Sequence, residues 1–226
     1  MKHLPTARRN SAICAGIALL FLLLLPLQLS AKETAKLPSG EAAVQTALRP
    51  GDIIFQDSSS FQSKALKQAT GSRYTHCGIV LSRNGRLEVL EAVSPVRWTS
   101  IRKWIARGTQ GHYVVMRLKE NRAQLTGQQV AAMQAAAPGY VGKPYDLLFQ
   151  WSDDEIYCSE LVWKLYEQAA GIRLVPLKTF RDYDLNYEEV QKHIKERFGY
   201  DIPYDEPVVA PSDLMESAFL EVVYSN

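Results

Sequence analysis

One thiol in this sequence stands at the start of a predicted helix, where it could act as a nucleophile. Apolar residues recur at intervals of four from Leu161 to Ala169, and Gly171 can end the helix, so Cys158 falls in its first turn. The free N–H groups and the dipole of a helix N-terminus favour an anion, which lowers the pKa of a thiol and raises its thiolate fraction. The alternative interpretation is a small apolar residue buried in the core. A suitable base elsewhere in the chain would favour the nucleophile.

His76 is the strongest candidate for that base. It begins an apolar run of strand character over 76–81, whereas His3 lies in an N-terminal leader, His112 opens another apparent strand and His193 lies among charged residues. An imidazole titrates near neutral pH, so it can accept and return a proton. The alternative is a hydrogen-bonded histidine with a structural role at a strand start.

A hairpin signal follows this strand and supplies a carboxylate. Asn84-Gly85 between two apolar runs predicts a two-residue turn, which pairs Gly78 with Glu91. Side chains alternate along strands, so His76 and Glu91 project from the same face as diagonal neighbours within reach of each other. A carboxylate beside an imidazole holds its tautomer and favours its protonated form. Thiol, imidazole and carboxylate thus match the nucleophile, base and orienting group of triad chemistry, although the carboxylate could also be a solvated strand residue.

The same register bears on a second cysteine. It directs Cys77 away from the face of His76, and we expect the helix of Cys158 to pack on the face that carries His76. A disulfide between the two cysteines would silence the nucleophile, and this placement argues against it. The chain contains no Cys-x-x-Cys or His-x-x-x-His spacing, so we predict neither a metal site nor a cofactor.

Three segments, in their order along the chain, resemble a known family. They are 49–56 (RPGDIIFQ), 74–80 (YTHCGIV) and 157–162 (YCSELV). They resemble the YaeF/YiiX-like branch of the NlpC-type, papain-like cysteine hydrolases, in which the papain fold is circularly permuted and the histidine strand precedes the cysteine helix. The resemblance extends over residues 49–214, which is essentially the whole chain after the leader.

The resemblance implies roles for individual residues. The implied catalytic residues are the nucleophile Cys158, the base His76 and the third polar group Glu91. Residues 143–146 (KPYD) resemble the family's approach to the nucleophile helix. The expected substrate-binding residues in and after this approach are Tyr145, Trp151 and Tyr157. Cys77 departs from the pattern, since a small or hydroxyl residue is expected beside the histidine.

The predicted fold class is α+β, with an antiparallel sheet packed against helices, and the resemblance implies the permuted papain-like fold. Apolar periodicity and turn residues predict these elements in addition to the hairpin and the nucleophile helix: strand 52–56, helix 60–69, helix 98–107, strand 113–118, helix 128–137, helix 187–198 and strand 219–224.

The N-terminus has the layout of a secretory signal peptide over residues 1–31. Basic residues precede an uncharged, leucine-rich stretch that ends at a small-residue cleavage site. An uncleaved membrane anchor is the alternative, because the apolar run approaches the length of the shortest membrane spans. We predict a linker over 32–48, a hydrolase domain over 49–226, and a periplasmic or secreted location in a bacterial envelope.

The charge balance argues against a nucleic-acid partner. The whole chain has a formal charge of +2, but the leader holds three basic residues and no acidic one, so the charge is −1 without it. The remaining sequence has no basic stripe of the kind that nucleic-acid binders use.

These observations predict an exported cysteine hydrolase, an amidase or peptidase, that cleaves an amide bond of a cell-wall peptide or a related small substrate, including one derived from peptidoglycan. Contact with a membrane is expected only through an uncleaved leader. The first alternative is a lipid-directed acyltransferase or esterase, since permuted papain-like folds include such enzymes. It predicts an apolar channel beside Cys158 lined by Leu147, Leu148, Phe149 and Trp151. The second alternative is an envelope binding module without catalysis.

Overall fold

The structure is a computed structural model that describes residues 34–199 and 202–226. The leader predicted over 1–31 lies outside the described residues. Within the described ranges, none of the helices combines the length and apolar character needed to cross a membrane.

Antiparallel strands and flanking helices make up the described part of the chain. The strands are β1 (Ile53–Ser58), β2 (His76–Arg83), β3 (Arg86–Glu91), β4 (Arg97–Ser100), β5 (Gly108–Leu118), β6 (Lys178–Thr179), β7 (Pro207–Val208) and β8 (Leu220–Ser225). The helices are α1 (Glu41–Ala47), α2 (Ser63–Thr70), α3 (Ile101–Arg107), α4 (Gly127–Ala136), α5 (Cys158–Ala170), α6 (Glu188–Phe198) and α7 (Pro211–Met215). Six strands form one sheet in the order β4-β3-β2-β1-β5-β8, and β6 pairs with β7 separately. The predicted α+β class is therefore confirmed.

The hairpin between β2 and β3 has the predicted register. Arg83 pairs with Arg86, and the pairing continues to Ile79 opposite Leu90. Asn84 and Gly85 have φ angles of 51° and 75°. A two-residue turn that matches the twist of its strands requires positive φ at both positions, and Asn-Gly adopts this conformation most readily.

The two faces of the sheet support two separate cores. Cys77, Ile79 and Leu81 on one face of β2 pack in a cluster with Leu161 and Leu165 of α5. Ile54, Val80, Val89 and Val115 on the opposite face pack in a second cluster with residues of helices α1 and α3, among them Trp104 of α3.

The expectation that α5 packs on the face of His76 is therefore wrong. A central strand covered on both faces is apolar throughout, so alternation along β2 identifies two faces without indicating which of them α5 covers. His76 is the first residue of β2, so its ring lies at the end of the sheet. There it stacks on Trp104, with ring centroids 5.9 Å apart, and still reaches Cys158.

Part of the predicted linker over 32–48 belongs to the folded domain. Helix α1 lies within it, and Val44 and Leu48, each 3% exposed, are buried in the same core as Ile54. Their spacing of four residues places both on one face of the chain as it meets the sheet. The segment from 41 to 48 is therefore not a linker.

One helix boundary differs from its prediction. The helix predicted over 98–107 begins only at Ile101, because Trp98 pairs with Leu90 and extends the sheet as β4.

At the start of β1, Asp52 forms a bidentate ion pair with Arg117 of β5, with both N–O distances 2.7 Å. Asp52 also accepts a hydrogen bond from the backbone N–H of Arg49. This carboxylate joins the 49–56 segment to the neighbouring strand.

Candidate active site

The candidate nucleophile lies at the position predicted for it. Cys158 is the first residue of α5 and is 3% exposed. The Glu160 carboxylate accepts a hydrogen bond of 3.2 Å from the backbone N–H of Tyr157, which satisfies one free donor at the helix start. The helix ends at Gly171, which adopts the left-handed conformation (φ 68°) that suits a glycine at this position.

A buried carboxylate holds the candidate base. Oε2 of Glu91 lies 2.8 Å from Nε2 of His76, and Glu91 is fully buried. Thr99 Oγ1 and Arg107 Nη2 each donate to Oε1 of the same carboxylate at 2.6 Å. Burial alone would raise the pKa of Glu91, but the hydrogen bonds from His76, Thr99 and Arg107 lower it to about 2. The carboxylate is therefore an anion across the physiological range.

The imidazole and the thiol favour each other's charged forms. Burial alone would lower the pKa of His76, but its contacts with Cys158 and Glu91 raise it to about 9. Hydrogen bonding from Cys77 and His76 outweighs burial and lowers the pKa of the Cys158 thiol well below its ordinary value. Because Glu91 occupies Nε2, Nδ1 is the ring nitrogen left for the sulfur. The geometry therefore favours a thiolate–imidazolium pair at neutral pH.

Cys77 is part of the site, and the prediction that it faces away from Cys158 is wrong. Both residues lie in the core cluster between the sheet and α5, and both thiols are free. Burial raises the pKa of Cys77 well above its ordinary value, so it keeps its proton and can donate to the neighbouring thiolate. Sequence reasoning missed this contact because it placed α5 on the other face of the sheet.

Two of the three predicted substrate-binding residues lie at the site. The Tyr145 hydroxyl interacts with the Cys158 sulfur and accepts a hydrogen bond of 2.8 Å from Nε2 of Gln62. Tyr157 is buried, and its hydroxyl accepts a hydrogen bond from the backbone N–H of Val209. The role of Gln62 has no signal in the sequence, because this residue lies 83 positions from Tyr145 in a polar stretch.

Trp151 is not brought to the site. Its ring packs edge-on against Trp163, with centroids 5.2 Å apart, and Lys164 Nζ lies 5.0 Å above it. Its backbone N–H donates to Glu206. An aromatic residue near the nucleophile in sequence thus packs against the outer side of α5 instead.

Two spaces flank the candidate catalytic residues. The apolar pocket lies beside Cys158, between α2 and α6, and has a volume of about 110 Å³. Its walls include Ala65, Ala69, Phe149, Ile194, Phe198 and Val209. The histidine cleft lies beside His76 and has a volume of about 540 Å³. Its polar lining includes Gln56, Ser58, Thr75, Arg107 and Arg197.

The apolar channel predicted for a lipid-directed enzyme has a different lining from the one expected. Of its four predicted residues, only Phe149 borders the apolar pocket. Leu147 borders the histidine cleft and is 52% exposed, while Trp151 packs on α5. The walls of the apolar pocket include residues of α2 and α6, which lie outside the segment that leads to the nucleophile.

Replacing Glu91 by Gln tests the carboxylate behind the imidazole. Ionised Glu91 stabilises the fold above its ordinary pKa of 4.5, and this contribution is lost as the pH falls toward about 2. We expect Glu91→Gln to lower the free energy of unfolding at neutral pH by about 1–3 kcal/mol, because a buried charge-assisted hydrogen-bond network is broken. The deficit should shrink at acid pH. Urea unfolding at both pH values measures it.

The matched control is Glu88→Gln on the same strand, since Glu88 pairs opposite Leu81 and lies outside the His76 contacts. Equal losses in both variants would contradict the role assigned to Glu91.

Comparisons with known proteins agree with this architecture. The profile of a family described as permuted papain-like amidase enzyme, YaeF/YiiX, C92 family, matches residues 47–224. The chain is 44% identical to the YiiX protein of Escherichia coli (strain K12) over 173 residues, which cover 76% of this chain and 84% of that protein. The crystal structure of YiiX from Escherichia coli O157:H7, described as a metalloprotein, superposes with a TM-score of 0.75 at 44% identity and covers 79% of this chain and 97% of that one. The chain belongs to the permuted papain-like amidase family of YaeF and YiiX.

Proposed function

We propose that this protein is an exported cysteine amidase that cleaves an amide bond through Cys158, His76 and Glu91. The observation that carries the proposal is the contact of a helix-start thiol with an imidazole whose far nitrogen lies 2.8 Å from a buried carboxylate. Membership in an amidase family supports hydrolytic chemistry.

The first half of the reaction forms an acyl-enzyme. The Cys158 thiolate attacks the amide carbon, a C–S bond forms, and the carbonyl electron pair moves to oxygen. The backbone N–H of Cys158 at the helix start is placed to donate to that oxygen. When the intermediate collapses, the C–N bond breaks and the proton on Nδ1 of His76 passes to the leaving amine.

The second half restores the enzyme. Neutral His76 accepts a proton from water, the resulting hydroxide attacks the thioester, and the C–S bond breaks to return the thiolate. Glu91 accepts a hydrogen bond from Nε2–H throughout, which keeps Nδ1 directed at the reacting atoms. Stacking on Trp104 restricts the ring plane.

The proposed substrate is a small peptide or amide of the bacterial cell wall, including peptidoglycan fragments. The leader pattern supports an envelope setting. The histidine cleft adjoins the base that protonates the leaving group, and its volume of about 540 Å³ suits a polar leaving group of peptide size.

A lipid-directed acyltransferase or esterase is the second candidate, and the apolar pocket beside Cys158 is the observation that favours it. The volume of this pocket distinguishes the lipid-directed enzyme from the amidase. An apolar cavity of about 150 Å³ holds benzene, so a pocket of about 110 Å³ suits a short or branched alkyl group rather than a long acyl chain. The amide of a small acyl group is the better fit.

The metal in the description of the YiiX structure does not enter this mechanism. In the described parts of the chain, no three His, Cys, Asp or Glu side chains are grouped to hold a metal ion. The Nε2 atom of His76 and both oxygens of Glu91 are engaged with each other, Thr99 and Arg107. These donors therefore do not fit a metal centre.

The direct test is to incubate the purified protein with muropeptides and, separately, with acyl lipids, and to identify products by mass spectrometry. We expect cleavage of an amide bond in the muropeptides, absent from the Cys158→Ala variant. Cleavage confined to the lipids would contradict the amidase and favour the lipid-directed acyltransferase or esterase. If neither the muropeptides nor the lipids are cleaved, the result would support a binding module without catalysis instead.

A further inference from the structure

A row of hydrogen bonds leads from α6 to the candidate nucleophile. Arg197 Nη2 donates to Gln62 Oε1 at 3.0 Å, and Gln62 Nε2 lies 2.8 Å from the Tyr145 hydroxyl. That hydroxyl interacts with the Cys158 sulfur. The three polar side chains come from distant parts of the sequence, and all border both the apolar pocket and the histidine cleft.

The chemistry of these groups determines the direction of every proton in the row. A guanidinium donates and has no acceptor, so the oxygen of the Gln62 amide must face Arg197. The amide nitrogen must then face Tyr145, and it too can only donate. The Tyr145 oxygen accepts this hydrogen bond, so its own O–H is free to turn toward Cys158.

We propose that Gln62, held by Arg197, is a positioning residue that directs the Tyr145 O–H into the reaction centre, where it donates to the oxygen that gains negative charge. The inference rests on the proposed function of Cys158 and adds a second oxyanion donor to its backbone N–H. A donor fixed before the reaction needs no reorganisation when the charge develops, which is the condition for strong electrostatic catalysis.

The surroundings keep this row in one arrangement. Burial raises the pKa of Tyr145 well above its ordinary value, so the hydroxyl holds its proton at the pH of catalysis. Arg197 is half-buried, and its guanidinium lies 5.4 Å above the Phe149 ring. A flat guanidinium confined against an aromatic ring loses little further freedom when it holds the amide.

Gln62→Glu reverses the hydrogen bond between residue 62 and Tyr145 without changing the shape of the side chain. A carboxylate only accepts hydrogen bonds, so one oxygen can pair with Arg197 while the other accepts a hydrogen bond from the Tyr145 hydroxyl. The O–H of Tyr145 then points away from the reaction centre. Loss of one oxyanion donor lowers kcat by about 10²- to 10³-fold in known cases, and we expect a fall of about 100-fold with little change in KM. Gln128→Glu, the same change at an exposed position of α4, should leave kcat unchanged.

Alkylation of Cys158 by iodoacetamide separates positioning from damage to the site. This displacement develops no oxyanion, so its plateau rate at high pH should be the same in Gln62→Glu and the wild type. A fall in that plateau rate parallel to kcat would overturn the proposal, because it would show a disturbed nucleophile.

A double-mutant cycle with Tyr145→Phe gives the decisive readout. If Gln62 acts through the tyrosine hydroxyl, Gln62→Glu should change kcat by less than about twofold once that hydroxyl is gone. Multiplicative losses in the double variant would overturn the positioning role of Gln62. Absence of turnover by the wild type would refute the proposed function and this role together. Turnover that Gln62→Glu leaves intact refutes the positioning role alone.

Discussion

Replacing Cys158 by Ala should lower kcat/KM by about 10⁴-fold or more, the scale expected when a catalytic nucleophile is removed. The sulfur forms the bond to the acyl group in the proposed reaction, and no other described thiol can take its place, because Cys77 is fully buried and its pKa is raised. Steady-state hydrolysis of the cleaved muropeptide measures the loss.

The fold of the Cys158→Ala variant should persist. The substitution removes one sulfur atom at the edge of a large core, so the melting temperature should change by only a few degrees. Cys158→Ser is the companion variant, since it keeps a hydroxyl of similar size without the low pKa of the thiol. Wild-type turnover in either folded variant would contradict the assignment of the nucleophile.

Replacing His76 by Gln should lower kcat/KM by about 10³- to 10⁴-fold, because the variant loses both the proton donor for the leaving amine and the partner of the thiolate. The amide of glutamine can still donate to Glu91, so the carboxylate keeps a hydrogen-bond partner. Turnover with an activated ester, whose leaving group needs no proton, should fall less than turnover with an amide.

The loss in His76→Gln has a second signature in the nucleophile. His76 lowers the pKa of Cys158, so its removal should raise that pKa toward the ordinary range. His112→Gln is the control, because this histidine lies against Tyr74 outside the catalytic contacts. Equal turnover of amide by His76→Gln and His112→Gln would remove His76 from the mechanism.

Local rules predict the parts of the site that lie close together in sequence. The Asn84-Gly85 turn determines the register of the hairpin, and the contact between His76 and Glu91 follows from counting back along two strands. The start of α5 likewise follows from its apolar spacing, which places Cys158 in the first turn.

Packing between distant segments is where sequence reasoning fails. Both faces of β2 are buried, so its alternation could not indicate that α5 covers the face of Cys77. The position of Trp151 shortly before the nucleophile predicts that it lies at the site. An aromatic ring packs wherever a complementary surface lies, however, and Trp163 provides one. Gln62 reaches Tyr145 only through tertiary packing, since neither periodicity nor a turn relates the two.

The most direct test of the central claim is the pH dependence of Cys158 alkylation in the wild type and in His76→Gln, read by mass spectrometry of the peptide that contains this residue. We expect a wild-type rate that has reached its plateau by neutral pH, with an inflection well below the usual thiol pKa of about 8.5, and an inflection shifted upward in the variant. Wild-type amide turnover should fall as the pH rises through about 9, where His76 loses its proton, while alkylation continues. An ordinary thiol inflection in both proteins would contradict the thiolate–imidazolium pair.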